Sequence, residues 1–161
     1  MLKYLYVKEI FKEVPGEITL GISISGCKIR CKGCHSPELW KDGGMELTAK
    51  ELGNLINAHK GITAVCFFGG EHDLDTLEKL IEYVHHYGNL KTAWYSGLDS
   101  IPEECMDMMD YLDYIKIGRY IKELGGLDSP TTNQRLYKIE HLDGEYKETD
   151  ITHLLQKNLN T

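Results

Sequence analysis

Ile18-Thr19-Leu20-Gly21-Ile22-Ser23-Ile24-Ser25-Gly26-Cys27-Lys28-Ile29-Arg30-Cys31-Lys32-Gly33-Cys34 decides how the chain is read. Ile18 to Ile24 alternates apolar with small residues, the period of a strand. The strand runs directly into a loop carrying three cysteines at C-x3-C-x2-C spacing. The loop therefore sits at the C-terminal end of a strand. The chain repeats that layout. Thr63 to Phe68 is a short apolar run rich in β-branched and aromatic residues and ends at Gly69-Gly70. Leu90 to Tyr95 ends at Ser96-Gly97, and Tyr114 to Ile117 ends at Gly118.

Helix signals fall between these runs. Thr48-Ala49-Lys50-Glu51 is a capping box, with Leu47 and Leu52 placed as its hydrophobic staple. Leu52, Leu55 and Ile56 follow on one face. Leu77, Leu80, Ile81 and Val84 make a second helical stripe from about Asp75. Ser100-Ile101-Pro102-Glu103 reads as the start of a third helix, with a capping residue, an early proline and an acid. Leu5 to Phe11 reads as an edge strand turned by Pro15-Gly16. Arg135 to His141 and Glu145 to Lys147 suggest a hairpin around Asp143-Gly144. Ile151, Leu154, Leu155 and Leu159 suggest a last helix.

Strands alternating with helices imply βα units and a mainly parallel sheet. Four such units are too few for an eight-fold barrel. The expected fold is α/β, a partial, laterally open (βα) barrel of mainly parallel strands, forming one domain over residues 1–161. The cysteine loop, Gly69-Gly70-Glu71, Ser96-Gly97 and Lys116-Ile117-Gly118-Arg119 all follow strand ends. Ligands of parallel α/β sheets bind at that edge.

Bulk properties limit the partners. The 161 residues suffice for one domain with a real core. A net charge of −7 lacks the basic footprint of a nucleic-acid binder. Met1 to Lys12 alternates apolar and charged residues without the apolar core of a secretory leader, and no apolar run reaches membrane-spanning length. A cytoplasmic protein is expected, binding neither nucleic acid nor membrane. Five cysteines in a reducing compartment point to metal or reactive thiols rather than disulfides.

Three thiolates on one short loop suit three corners of a 4Fe–4S cube and leave the fourth iron open to substrate. Lys28, Arg30 and Lys32 would offset the negative charge, while Gly26 and Gly33 let the backbone wrap a bulky group. Other readings compete. Structural zinc needs four ligands, and His35, adjacent to Cys34, is an awkward fourth. Cys31-Lys32-Gly33-Cys34-His35 matches a haem-attachment pattern, but it leaves Cys27 without a role. Plain buried cysteines fit poorly on a loop this rich in Lys and Gly. Elsewhere, Cys66 and Cys105 read as core residues. Met106, Met108 and Met109 read as packing, and Glu103-Glu104 as an acidic first turn. His85-His86 make a poor metal pair because adjacent helical residues face apart.

The cysteine loop after a first strand, followed by Gly-Gly-Glu after a second, resembles the radical S-adenosylmethionine superfamily. Gly26 to Trp40, G-C-K-I-R-C-K-G-C-H-S-P-E-L-W, resembles the cluster loop of the activating component of anaerobic (class III) ribonucleotide reductase. Ser129 to Tyr137, S-P-T-T-N-Q-R-L-Y, resembles a second stretch of that family. The likeness runs from Thr19 to about Tyr137. It implies that Cys27, Cys31 and Cys34 ligate the cluster and serve as the catalytic residues. It implies that Gly33 and His35 lie against the adenine of S-adenosylmethionine and that Gly69-Gly70-Glu71 meets its methionine amino group. Ser96 and Lys116 complete the expected cofactor site, Lys116 as a cation for the carboxylate.

The implied reaction is reductive cleavage of S-adenosylmethionine. The resulting 5′-deoxyadenosyl radical would take hydrogen from a glycine of the large catalytic subunit of the reductase. A small electron donor such as flavodoxin would supply the electron. Two alternatives stand beside it: an activase of the pyruvate formate-lyase type, and a non-catalytic metal-binding interaction module. The sequence departs from the family where His72 replaces a proline and where Ile117-Gly118 replaces Asp-Gly. Asn133 and Arg135 are family-typical residues to which the sequence assigns no role.

Overall fold

The structure, a computed structural model, describes residues 1–34 and 36–156. The strands are β1 (Lys3–Ile10), β2 (Thr19–Ile24), β3 (Met45–Glu46), β4 (Ala64–Phe68), β5 (Lys91–Tyr95), β6 (Tyr114–Ile117), β7 (Arg135–Leu142) and β8 (Glu145–Asp150). They form one sheet in the order β3-β1-β2-β4-β5-β6-β7-β8. The central strands β2, β4, β5 and β6 are parallel. Antiparallel strands extend the sheet on both sides.

Two α-helices, α1 (Ala49–Ala58) and α2 (Leu74–Tyr87), cover one face. Thr48 caps α1, its hydroxyl accepting from Glu51 N at 3.1 Å. The Glu51 carboxylate does not return the bond; it accepts from Tyr4 Oη at 2.7 Å and so ties the helix start to β1. Leu47 and Leu52 are both buried in the main core. The stripe Leu77, Leu80, Ile81 and Val84 of α2 is buried as its spacing requires.

Strand alternation divides the sheet's side chains between two clusters. Leu20, Ile22, Val65, Phe67, Trp94 and Ile115 face the helices. Cys66, Ala93, Tyr114 and Leu136 face the other way, with Val14 and Ile151 packed on them. Toward the strands' C-terminal ends this second face is lined by smaller or polar groups (Gly21, Ser23, Lys116) and opens into a cavity.

Several elements differ from their sequence reading. β1 starts at Lys3 and is not the sheet edge, because β3 pairs outside it. Ser25 holds that return segment: its hydroxyl donates to Gly43 O at 2.6 Å and its N–H to Lys3 O at 2.9 Å. The third helix is a 3-10 helix, Glu103–Asp110, that begins at Pro102 with no side-chain cap. Its amides close short turns instead, as with Cys105 N to Pro102 O (2.9 Å) and Tyr111 N to Met108 O (3.0 Å). Cys105, Met108 and Met109 are buried, whereas Met106 is exposed. The hairpin forms where Asp143-Gly144 placed it, with positive φ at both residues (51° and 80°). The expected last helix is a 3-10 turn, Thr152–Leu154, and Leu159 lies outside the described residues. His85 and His86 pack with Tyr111 as rings. Among the described residues no helix is long and apolar enough to cross a membrane.

Phe67 is fully buried in the central parallel strand pair. Phe67→Ala is expected to cost about 3–5 kcal/mol of stability in urea unfolding of the anaerobic apoprotein. A loss below about 1 kcal/mol would contradict its place in the core.

Candidate functional site

The cysteine loop is closed at its neck by backbone pairing. Gly26 N donates to Lys41 O (3.2 Å) and Cys27 N to Leu39 O (2.8 Å). The return leg is the short 3-10 helix Pro37–Trp40. Inside the loop, Gly26, Arg30 and Gly33 adopt left-handed backbone angles (φ 83°, 50° and 79°). These let the chain reverse between thiols. Cys34 N donates to Cys31 O at 3.1 Å, and Cys34 Sγ accepts from Ser36 N at 3.4 Å.

The loop docks on β5 through a contact that sequence reading missed. Ile29 packs where Gly97 has no side chain: a Cβ at Gly97 would stand 2.7 Å from Ile29 Cδ1. A glycine after a strand signals a turn, and nothing in its own neighbourhood names the distant residue that fills its space.

Cys27, Cys31 and Cys34 are half-buried and line one cavity of about 360 Å³. Gly69, Glu71, Ser96 and Lys116 line the same cavity. Phe68 and Tyr95 give it an aromatic wall, their ring centroids 5.0 Å apart. Seven of the expected site residues thus share one space. Two others do not. Gly70 packs away from the cavity, where a Cβ would lie 3.3 Å from both Ile24 and Leu77. Gly33 is exposed and faces Tyr120 and Lys122. His35 lies outside the described residues.

Glu71, Ser96 and Lys116 form a connected network at the strand ends. Glu71 Oε1 accepts from Ser96 Oγ (3.1 Å) and Gly97 N (2.9 Å). Lys116 is buried and donates to the carbonyls of Ser96 (2.9 Å) and Gly118 (2.8 Å). Burial pulls its ammonium down to about 8; Glu71, Cys31, Asp99 and Cys34 pull it back up by charge. Trp94 Nε1 donates to Gly69 O at 2.9 Å, so that carbonyl is already engaged. Arg119, the other cation of this strand end, is committed to Asp99, with Nε at 3.2 Å and NH2 at 3.0 Å from Oδ2.

The second family-like stretch, Ser129 to Tyr137, buttresses the site. Ser129 and Thr131 both donate to Leu124 O at 2.8 Å. Asn133 Nδ2 donates to Arg119 O (3.1 Å) and Gln134 Nε2 to Gly118 O (3.3 Å). Gln134 also lines the cavity. Arg135 pairs with Asp150 at 3.6 Å, away from the thiols.

Among the described residues no three Cys, His, Asp or Glu side chains converge as single-ion ligands. Zinc crowds four donors around one centre. Thiolates on a cubane each hold a different iron, and three thiols spread around one cavity suit that donor set. Trp40 lines the cavity, and its Nε1 is buried without a hydrogen-bond partner among the described residues. His72 Nδ1 is a second buried orphan, its ring packed against Gly26.

A family model described as a 4Fe-4S single cluster domain matches residues 15–139, which include the cysteine loop, Glu71, Ser96 and Lys116. The chain belongs to that family and is an iron–sulfur protein. No curated protein and no solved structure matches it.

Lys116 gives the apoprotein a pH signature. Its pKa is lowered in the fold, from 10.5 to about 8. Between those values the unfolded chain binds the proton and the folded chain does not, so stability rises with pH. Wild-type stability relative to Lys116→Met is expected to rise across pH 8 to 10.5, by at most about 3 kcal/mol. A flat difference in paired urea titrations would show that Lys116 stays protonated throughout.

Proposed function

We propose that the chain is a radical S-adenosylmethionine enzyme that generates a glycyl radical on the large catalytic subunit of anaerobic ribonucleotide reductase. One observation carries this most directly. The three loop thiols open onto the same cavity as Glu71, Ser96 and Lys116, at the C-terminal edge of the parallel strands. Cys27, Cys31 and Cys34 would hold three irons. When bound, the cluster supplies one electron for cleavage of the sulfonium and leaves one iron free for substrate.

The chain's own residues divide the remaining work. Glu71 is oriented through Oε1, which leaves Oε2 to accept from the methionine ammonium. The Lys116 ammonium has three donors, of which two are spent on carbonyls; the third suits the substrate carboxylate. Phe68 and Tyr95 offer an apolar wall to the nucleoside and keep water from it. Tyr95 is fixed for this by its own hydroxyl, which donates to Glu13 O.

The parallel strands would act as a partial, laterally open barrel in the cytoplasm, with the partner's glycine loop supplying the missing wall. A small electron donor completes the set of partners. An activase of the pyruvate formate-lyase type would use the same residues, and the partner protein distinguishes the two.

Anaerobically reconstituted protein with dithionite is expected to release 5′-deoxyadenosine. Mixing with the large reductase subunit should then give a glycyl-radical doublet in electron paramagnetic resonance. Deoxyadenosine release without the doublet assigns a different partner; an intact cluster that never cleaves S-adenosylmethionine refutes the proposal. Glu71→Gln should raise the KM for S-adenosylmethionine about 10- to 100-fold, the loss of one charge-assisted hydrogen bond, with cluster absorbance unchanged. An unchanged KM would remove Glu71 from the binding site.

A further inference from the structure

Gly21 lies in the middle of β2, buried and paired on both sides, with Lys8 of β1 and Cys66 of β4. Glycine weakens the interior of a strand, and where it occurs there another group often approaches closely. The backbone does not require it, because φ at Gly21 is not left-handed. The space beside it does. A Cβ at Gly21 would stand 3.0 Å from Phe68 Cε2, 3.1 Å from Ile10 Cδ1 and 3.4 Å from Lys8 O. Carbons pack at about 3.5–4.0 Å, so the place of a side chain is already filled. The edge of the Phe68 ring and the tip of Ile10 occupy it.

Gly21, Ile10 and Phe68 all line the 360 Å³ cavity beside the thiols. The Phe68 ring has little freedom to yield elsewhere. Tyr95 packs on it, with ring centroids 5.0 Å apart and the planes at 58°. Tyr95 is held in turn by its hydroxyl, which donates to Glu13 O. Lys8 O belongs to the paired backbone of β1. A methyl group on residue 21 would therefore displace the Phe68 ring into the cavity that it lines.

We propose that Gly21 is a positioning residue for the nucleoside. By leaving its own space to Phe68 it seats that ring low on the sheet and keeps the cavity deep enough for a purine nucleoside. The proposal rests on the functional reading above, which sets the nucleoside against Phe68 and Tyr95. Gly21 acts through Phe68 and touches neither the cluster nor the amino-acid end of the substrate. That end is assigned to Glu71 and Lys116, beyond β4 and on β6.

The probe is 5′-methylthioadenosine, the nucleoside end of S-adenosylmethionine without its amino acid. It is titrated by isothermal calorimetry into the anaerobically reconstituted protein. Gly21→Ala is expected to weaken its binding, and to raise the KM for S-adenosylmethionine, about 10- to 100-fold, the size of an overpacking penalty. Cluster absorbance and iron content should be unchanged. Because methyl and ring compete for one space, the losses should not add: Gly21→Ala/Phe68→Leu should bind no more than about twofold worse than Phe68→Leu alone. Ile10→Val/Gly21→Ala relieves the second close contact and should keep the loss; it also stands in for Gly21→Ala if that variant does not fold. Equal nucleoside affinity in wild type and in a folded alanine variant overturns the proposal, as do losses that add. Loss of the cluster together with nucleoside binding in both alanine variants overturns it in favour of a purely structural glycine. Wild type that binds no 5′-methylthioadenosine overturns the proposal and the functional reading together. Wild type that binds it without ever cleaving S-adenosylmethionine refutes the functional reading alone, and the isotherms still decide whether Gly21 seats Phe68.

Discussion

The parallel register of the four central strands is the constraint on which the site depends. Ile22, Phe67, Trp94 and Ile115 stand in one row across β2, β4, β5 and β6, and each is buried against the helices. The next row, Ser23, Phe68, Tyr95 and Lys116, points to the opposite face. Because the rows are aligned, all four strands end at the same level. Slipping one strand by a residue would expose its share of the core row and bury its site residue. Core packing therefore fixes the position of the site, and Ile24 belongs to both.

On that edge the strand ends are stitched together by hydrogen bonds rather than apolar contacts. Glu71 reaches from the end of β4 to Ser96 and Gly97 beyond β5. Lys116 reaches from β6 to the carbonyls of Ser96, beyond β5, and Gly118, beyond its own strand. A buried lysine that satisfies two backbone carbonyls costs desolvation, and Glu71 with the nearby thiols offsets it by charge. The cysteine loop then rests on this edge through Ile29 in the space above Gly97. Among the described residues, the network leaves Glu71 Oε2 and one Lys116 proton without a hydrogen-bond partner.

Much of this was legible from local pattern. The strand-then-glycine layout at Ile24-Gly26, Phe68-Gly69, Tyr95-Gly97 and Ile117-Gly118 encodes the shared edge, because each signal is short-range. The α1 cap and the Asp143-Gly144 hairpin were readable for the same reason. What escaped were features set by contacts distant in sequence. Gly70 belongs to packing between Ile24 and Leu77, not to the cavity. Arg119 is neutralised by Asp99, twenty residues away. Gln134 and Trp40 enter the cavity from segments whose own patterns are irregular. The third helix tightens to 3-10 geometry because Pro102 opens it without a side-chain cap, whereas Ser100 had the composition of a capping residue.

The central claim is that Cys27, Cys31 and Cys34 carry a 4Fe–4S cluster whose free iron meets S-adenosylmethionine in the cavity beside Glu71 and Lys116. Electron paramagnetic resonance of the reduced, reconstituted protein tests it most directly. The account predicts a 4Fe–4S signal that changes its g-values when S-adenosylmethionine is added, and that is absent when any one of the three cysteines is replaced by alanine. A signal indifferent to S-adenosylmethionine, or one that survives loss of a loop cysteine, would contradict it.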